Sequence, residues 1–471
     1  MTSGTLAYSF GLGKAVVSTP YWHARELLAG GRGVLVPFDD AKSIGNEIAG
    51  LLTDHVRRNA MRTRAYASSR SMIWKRTAER YLGAFEEAIQ RRHLPNALLP
   101  RSGKTSARKS AGPPEPQLAY FLSMCDDTGL FQHAVHAVPD RSHGYCVDDN
   151  ARALLLASAL NTPGEISLPE PLATRFASFI QHAWNADLKH FRNFMGFDRR
   201  WLEDKGSEDS HGRTLWALGE CARGDSNPSR RNWAAALFAE ALPTAEGFRS
   251  PRAWAFTLLG LDGYCAMHGG DAFARRIRLL FAARLMDLLA RVETKDWVWF
   301  EEGLSYDNAR LPQALIVTGL ATETSSYVAA GLKTLRWLVT LQTAPLGHFR
   351  AIGTDGFSDK RMLPRGFDQQ PLEAAATISA CLAAWHADHA CEWETEAASA
   401  FAWFLGCNDL SLPLVDLDTG SCRDGLHRAR ANENRGGESV LSYLMGLVEF
   451  RRLLRRRDQQ AALTPFRALR A

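Results

Sequence analysis

The chain lacks the marks of the commonest catalytic and exported classes. Its eight cysteines include no C-x-x-C pair, which leaves no zinc-ribbon or thioredoxin-type spacing. Cys221, Cys265 and Cys381 fall inside apolar helical stretches and read as reduced core thiols, so a cytoplasmic address is expected. No apolar run approaches the roughly 20 residues that span a bilayer, and the opening residues show no basic-then-apolar signal pattern. There is no G-x-S-x-G nucleophile elbow, and GLGK at 11–14 leads into a strand pattern rather than a phosphate-binding helix. Net charge is only +5, with RRLLRRRDQQ near the C-terminus the single basic run, so no nucleic-acid partner is expected.

What is present is 471 residues, 46% of them hydrophobic, enough for two or more globular domains. From Lys14 the chain reads KAVVST, WHARELL, GRGVLVPF and AKSIGNEIAGLLTD, a strand, helix, strand, helix rhythm typical of α/β sheets. Two such strands make only a partial Rossmann-like segment, assigned to residues 1–90. Residues 91–116, rich in Pro, Ser, Gly and Lys, read as a linker.

The stretch SGTLAYSFGLGKAVVSTPYWHARELLAGGRGVLVPFDD resembles the donor-sugar end of retaining, glycogen-synthase-like GT-B glycosyltransferases. That family enters a buried strand through a Gly-Lys or Gly-Arg step and ends a second strand in Pro. Its Glu, seven residues, Glu signature would set its second glutamate on Tyr8 and its first ahead of Met1. The resemblance implies a transferase-derived segment that lacks those carboxylates and the acceptor domain. It would meet a nucleotide sugar only with a transferase half supplied upstream or by another chain.

Beyond the linker the pattern turns wholly helical. Segments apolar on nearly all sides begin near Asp148, His211, Arg252, Asp307, Gln370 and Gly436, and alternate with segments carrying one wet face. The first kind is buried and the second lies on a surface. Six buried helices with surface partners predict an (α/α)6 toroid over residues 117–455, followed by a basic tail, 456–471. DNAR occurs at 149–152 and 307–310, and HFR at 190–192 and 348–350, both at an offset of 158. The ring therefore reads as two halves of three hairpins. The third hairpin breaks register, which implies an insertion before Gly436.

The inner helices should run parallel and open their N-termini on one face. Their preceding loops carry carboxylates, amides, Arg and aromatics, the composition of a carbohydrate site. The catalytic candidates are Asp148, Asp149, Glu301, Glu302, Asp307, Asp368 and Glu433, with Glu438 also in reach. One of Asp148 and Asp149 should cap the first inner helix. Asp149 and Asp307, matched by the repeat, should oppose each other across the ring. Glu301 or Glu302, flanked by Trp299 and Phe300, could be a desolvated general acid. Trp201, His211, Arg213, Arg252, Trp299, Gln369, Gln370 and Arg423 are candidates for binding sugar, Trp201 and Trp299 as stacking platforms together with Trp254, for which core packing is the stronger role. His133, His136, His143 and Cys146 have spacings a zinc site uses, but capping or mouth-lining is the stronger role, so no metal or other cofactor is expected.

This architecture resembles the six-hairpin glycosidases, and the resemblance implies an oligosaccharide or glycan substrate whose glycosidic bond is cleaved or rearranged by two carboxylates. Two other readings stay open: a glycosyltransferase with the ring binding acceptor or product, and a non-catalytic glycan-binding module.

Overall fold

The computed structural model describes residues 3–92, 112–161, 166, 168–357 and 359–468. The linker expected over 91–116 lies largely outside them. The chain divides into two compact units, 1–107 and 108–471.

In the first unit, α1 (Gly4–Gly11) is capped by the Ser3 side chain, which accepts from the Leu6 amide. It is followed by β1 (Val17–Ser18), α2 (Trp22–Leu28) and β2 (Val34–Leu35). The two strands pair parallel, Val17 with Val34, so the expected strand, helix, strand crossover is formed, although each strand is only two residues long. Helices α3 (Ala41–Thr53), α4 (His55–Ser69) and α5 (Trp74–Arg92) complete the unit, with Asp40 and Asp54 capping α3 and α4. Its core is small: Leu6, Phe10, Ala24, Leu27, Leu28 and Ala65.

The second unit opens with α6 (Ala119–Ser123) and the hairpin β3 (Phe131–Val135) and β4 (Val138–Cys146). Then come α7 (Val147–Leu160), α8 (Glu170–Ala183), the short strands β5 (Trp184–Asn185), β6 (His190–Phe191) and β7 (Phe194–Met195), α9 (Glu208–Gly224), α10 (Pro228–Ala245), α11 (Pro251–Met267) and α12 (Ala272–Val292). The second half holds α13 (Arg310–Ala321), α14 (Ser325–Leu341), α15 (Pro371–Asp388) and α16 (Glu392–Phe404), then β8 (Val415–Asp416), β9 (Ser421–Cys422), β10 (Gly425–Leu426), β11 (Ala431–Asn432) and α17 (Gly437–Ala468).

Helices α7, α9, α11, α13, α15 and α17 each pack on the next, and α17 packs on α7, closing an inner ring. Residues of α15 from Pro371 to Trp385 are buried on every side, as a helix within two layers must be. The even-numbered helices α8 to α16 lie outside, each against its inner partner, and the one-turn α6 packs against α17. Closure is tightest between α9 and α11. There Gly219 and Gly260 let the backbones touch, and a Cβ on Gly219 would stand 2.0 Å from the Gly260 carbonyl oxygen.

The repeat is structural. HFR follows the outer helix in both halves, α8 ending at Ala183 and α14 at Leu341, and Phe191 and Phe349 are both buried. The break in register is the stretch between α16 and α17, which forms two antiparallel hairpins, β8 with β9 and β10 with β11. The basic stretch after 456 continues α17 to Ala468. No helix among the described residues is long and apolar enough to cross a membrane.

Candidate active site

The inner helices open their N-termini on one face around a cavity of about 520 Å³. At its centre is the first turn of α7. Cys146, not an aspartate, is the N-cap: its Sγ accepts from the Asp149 amide at 3.4 Å, and its thiol donates to Asp149 Oδ2 at 3.1 Å. Burial pushes the Cys146 thiol well up, so it stays a donor. The expectation that Asp148 or Asp149 caps the helix is thereby corrected. Both carboxylates are released for other contacts, and their charge still suits a helix start.

Arg152, one turn on, gathers the acids. Its Nη1 donates to Asp148 Oδ2 at 2.5 Å and Asp149 Oδ1 at 2.9 Å, and its Nη2 pairs with Glu438 at 2.8 Å. One oxygen from each of Asp148, Asp149 and Glu438 lies within 4.8 Å of the others, a set that a cation would also fit. The guanidinium already supplies the counter-charge there. From α9, Arg213 Nε donates to Asp148 Oδ1 at 2.6 Å.

The two aspartates are pushed in opposite directions. Burial opposes ionisation of Asp148, but the Arg152 and Arg213 guanidiniums outweigh it and hold the carboxyl below its ordinary value. Asp149 is 3% exposed, and burial, reinforced by the charges of Glu438 and Asp148 and only partly offset by Arg152, raises it to about 7. Asp148 is thus favoured as the ionised member of the pair, and Asp149 keeps its proton far above the ordinary carboxyl range.

Asp209, Tyr306, Gln370, Asp424, Asn432 and Asn193 also line the cavity. Tyr306 and Ser250 donate their hydroxyls to Asp209, and Asp424 accepts from the Gly436 amide. Asp424 and Asn432 come from the inserted hairpins, so the insertion forms part of the wall. Sequence reasoning had not singled out Arg152, Asp209, Tyr306 or Asp424. All four lie in stretches already marked, and Arg152 stands one helical turn after the acid pair, where contact is expected.

Of the predicted residues, Asp148, Asp149, Arg213 and Gln370 line the cavity, as do Glu438, Cys146 and His133, the last in the mouth-lining place expected of a histidine. Others do not reach it. Asp307 is fully buried, with φ +51°, and is bound by Arg213 at 3.1 Å and Arg310 at 3.2 Å. The expected opposition of free Asp149 and Asp307 carboxylates is replaced by an ion-paired core group. Glu301 is held by Arg252 at 2.7 Å, and Arg252 is itself buried against the Tyr306 carbonyl. Glu302 is exposed, and its hydrogen bonds from Arg361 keep it below the ordinary range, the reverse of a desolvated acid. Asp368 faces His427 at 2.8 Å, and Glu433 pairs with Arg423 at 3.1 Å.

Trp299 is completely buried against Trp337 and Phe300 and belongs to the core, while Trp201, half-buried, packs against the core on Phe179 and His182. Trp254 donates to the Phe248 carbonyl within the same interior. His211 is buried among Trp184, His190, Phe191 and Phe248 and faces the Ala241 carbonyl. Gln369 is buried, bonded to Asp409 and Trp403. His133, His136 and His143 do not converge on Cys146: His133 and His143 stack edge-on in the β3–β4 hairpin, and His136 lies at its turn.

Among solved structures the chain is similar to a D-mannose isomerase, at 12% identity and TM-score 0.55 over 71% of this chain and 94% of that one. It is also similar to the cellobiose 2-epimerase of Spirochaeta thermophila, at 14% identity and TM-score 0.51 over 72% and 94%. A third match is a GH76 alpha-mannanase of Bacteroides thetaiotaomicron, at 12% identity and TM-score 0.50 over 72% and 94%. No family model matches the chain, and no curated protein does. At such identities the likeness shows the fold, and the fold is the (α/α)6 toroid.

Proposed function

We propose that the ring is a glycoside hydrolase acting with retention of configuration, Asp148 being the nucleophile and Asp149 the acid and base. One observation carries the reading: two carboxyls in one cavity with an oxygen of each within 4.8 Å of the other, one held below its ordinary value and the other raised to about 7. Separations near 5 Å suit double displacement, whereas roughly 6.5–9.5 Å leaves room for a water and inverts. Two titratable groups driven apart by their surroundings are the usual arrangement of an acid beside a nucleophile.

In the first step Asp149 gives its proton to the glycosidic oxygen as an Asp148 oxygen bonds to the anomeric carbon and the leaving sugar departs. Each Asp148 oxygen accepts from one arginine and keeps a further lone pair for attack. In the second step the Asp149 carboxylate takes a proton from water, whose oxygen displaces Asp148 and frees the sugar. Asp209, Gln370, Asn193 and Asn432 are placed to accept or donate to hydroxyls.

The alpha-mannanase likeness makes α-mannan the first polymer to assay. Incubation with a fluorosugar that traps glycosyl-enzymes, followed by peptide mass spectrometry, should place the label on Asp148. A label elsewhere, or inverted product by NMR, would refute the assignment. The eight free thiols support a cytoplasmic address.

A second reading concerns the first unit. Its parallel β1–α2–β2 crossover supports the proposal that residues 1–90 derive from a GT-B donor domain that meets a nucleotide sugar, with the ring then binding acceptor or product. Calorimetry with nucleotide sugars tests it, and absence of any binding by this chain together with a partner transferase half counts against it.

A further inference from the structure

A second cavity opens on the other face of the ring, where the inner helices end. It measures about 990 Å³ and shares no lining residue with the mouth. Ligand pockets run from roughly 300 to 1,000 Å³. Its apolar floor is formed by Leu155, Leu259, Val317, Leu382 and Met445.

Three carboxylates enter it from three inner helices: Glu220 of α9, Asp262 of α11 and Glu449 of α17. Glu220 and Asp262 stand near the C-terminal ends of their helices, where the helix dipole disfavours negative charge. Burial raises the Glu220 carboxyl, and Asp262 and Glu449 add to this against the pull of Arg223 and Arg452. Arg223 pairs with Glu220 and Asp262, and Ser379 donates to Glu449. These contacts tie α9 to α11 and α15 to α17, and the carboxylates line the cavity as well. Acceptors of this kind with Gln313 beside them match the hydroxyls of a sugar.

On the α17 side of the rim the chemistry reverses. Arg456 contacts the His386 ring. Burial and the charges of Arg456, His389 and Arg452 push His386 down to about 4, and burial and Arg452 hold Arg456 below its usual range. Crowded bases are disfavoured in their charged forms, and an anion among them reverses that. Because α17 runs on to Ala468, Arg456 is not capping its own helix end.

We propose that this cavity is a second carbohydrate site, which takes a phosphorylated hexose with its hydroxyls on the Glu220, Asp262 and Glu449 carboxylates and its phosphate on Arg456 and His386. The site is separate from the hydrolase reading and stands or falls without it.

The test is calorimetric titration of the full chain with glucose 6-phosphate, glucose and inorganic phosphate. Glucose 6-phosphate should bind saturably and more tightly than either fragment. Arg456→Ala and Glu220→Gln should each weaken it about tenfold or more, the loss of a hydrogen bond to a charged group, and Asp148→Asn should leave it unchanged. Arg456 is exposed, so its truncation keeps the fold, which a thermal melt verifies. The proposal is overturned if none of the three binds, if phosphate alone binds as tightly, or if Asp148→Asn rather than Arg456→Ala removes binding.

Discussion

Asp148 and Asp307 belong to opposite sides of the ring and share the guanidinium of Arg213, which donates Nε to the first at 2.6 Å and Nη1 to the second at 3.1 Å. The same guanidinium lies over the Phe256 ring, 4.0 Å from its centroid. A single side chain from α9 thus ties the cavity acid to the deepest acid of the core. Arg213→Met should cost about 3–5 kcal/mol of stability by leaving Asp307 short of a partner, and turnover should fall because Asp148 loses one of the charges that keep it ionised. Adding Asp307→Asn should recover stability in a denaturant melt without recovering turnover. Recovery of both would show that Arg213 has only a structural role.

Asp148→Asn and Asp149→Asn should differ. Loss of the nucleophile should abolish turnover on every glycoside. Loss of the acid should lower turnover on a natural glycan by about 10²–10⁴-fold while sparing substrates whose phenolate leaving group needs no proton. Equal damage on an aryl glycoside would remove the division of labour.

The pH dependence follows from the same pair. Activity should fall as pH rises through about 7, where Asp149 loses its proton, and fall again in acid once Asp148, held low, becomes protonated. Glu438 raises Asp149, so Glu438→Gln should move the alkaline limb to lower pH. For stability, Asp149 and Glu373 both have raised values of about 7. The native state therefore holds their protons more tightly than the unfolded chain. Their contribution is complete below the unfolded carboxyl range near 4 and is lost as pH rises through about 7. Asp149→Asn should flatten that decline in a series of melts. An unchanged slope would contradict it.

Trp299 separates core from site. Trp299→Ala should cost about 3–5 kcal/mol, read from the melting midpoint, with little change in oligosaccharide affinity measured below the transition. Lost affinity with intact stability would restore it as a stacking platform.

Much of the ring was legible because fully apolar and one-sided helices differ in pattern. All six inner helices begin close to where that pattern starts. Asp148, Asp149 and Arg213 were legible because acids and arginines at inner-helix starts have few other places to go. The other candidates failed for a common reason: sequence shows a residue near the mouth but not the partner that claims it. Arg252 takes Glu301, Arg361 takes Glu302 and Arg423 takes Glu433, all by tertiary contacts. The DNAR repeat was real, since Arg152 binds Asp149 as Arg310 binds Asp307. Backbone conformation separates the two copies, because Asp149 lies within α7 whereas Asp307 precedes α13 with positive φ and is buried in the core. Aromatic residues misled most, because Trp201 and Trp299 flank polar loops in sequence, yet in space Trp299 lies in the core and Trp201 packs against its edge, outside the cavity lining.

Arg213, Asp307, Arg310 and Gln313 are all buried and joined hand to hand, Arg310 passing from Asp307 at 3.2 Å to Gln313 at 2.7 Å. Arg213 lines the mouth cavity and Gln313 lines the cavity on the other face, so this buried chain of hydrogen bonds runs from one cavity to the other. A change of charge at one end is therefore felt at the other through groups that no water screens.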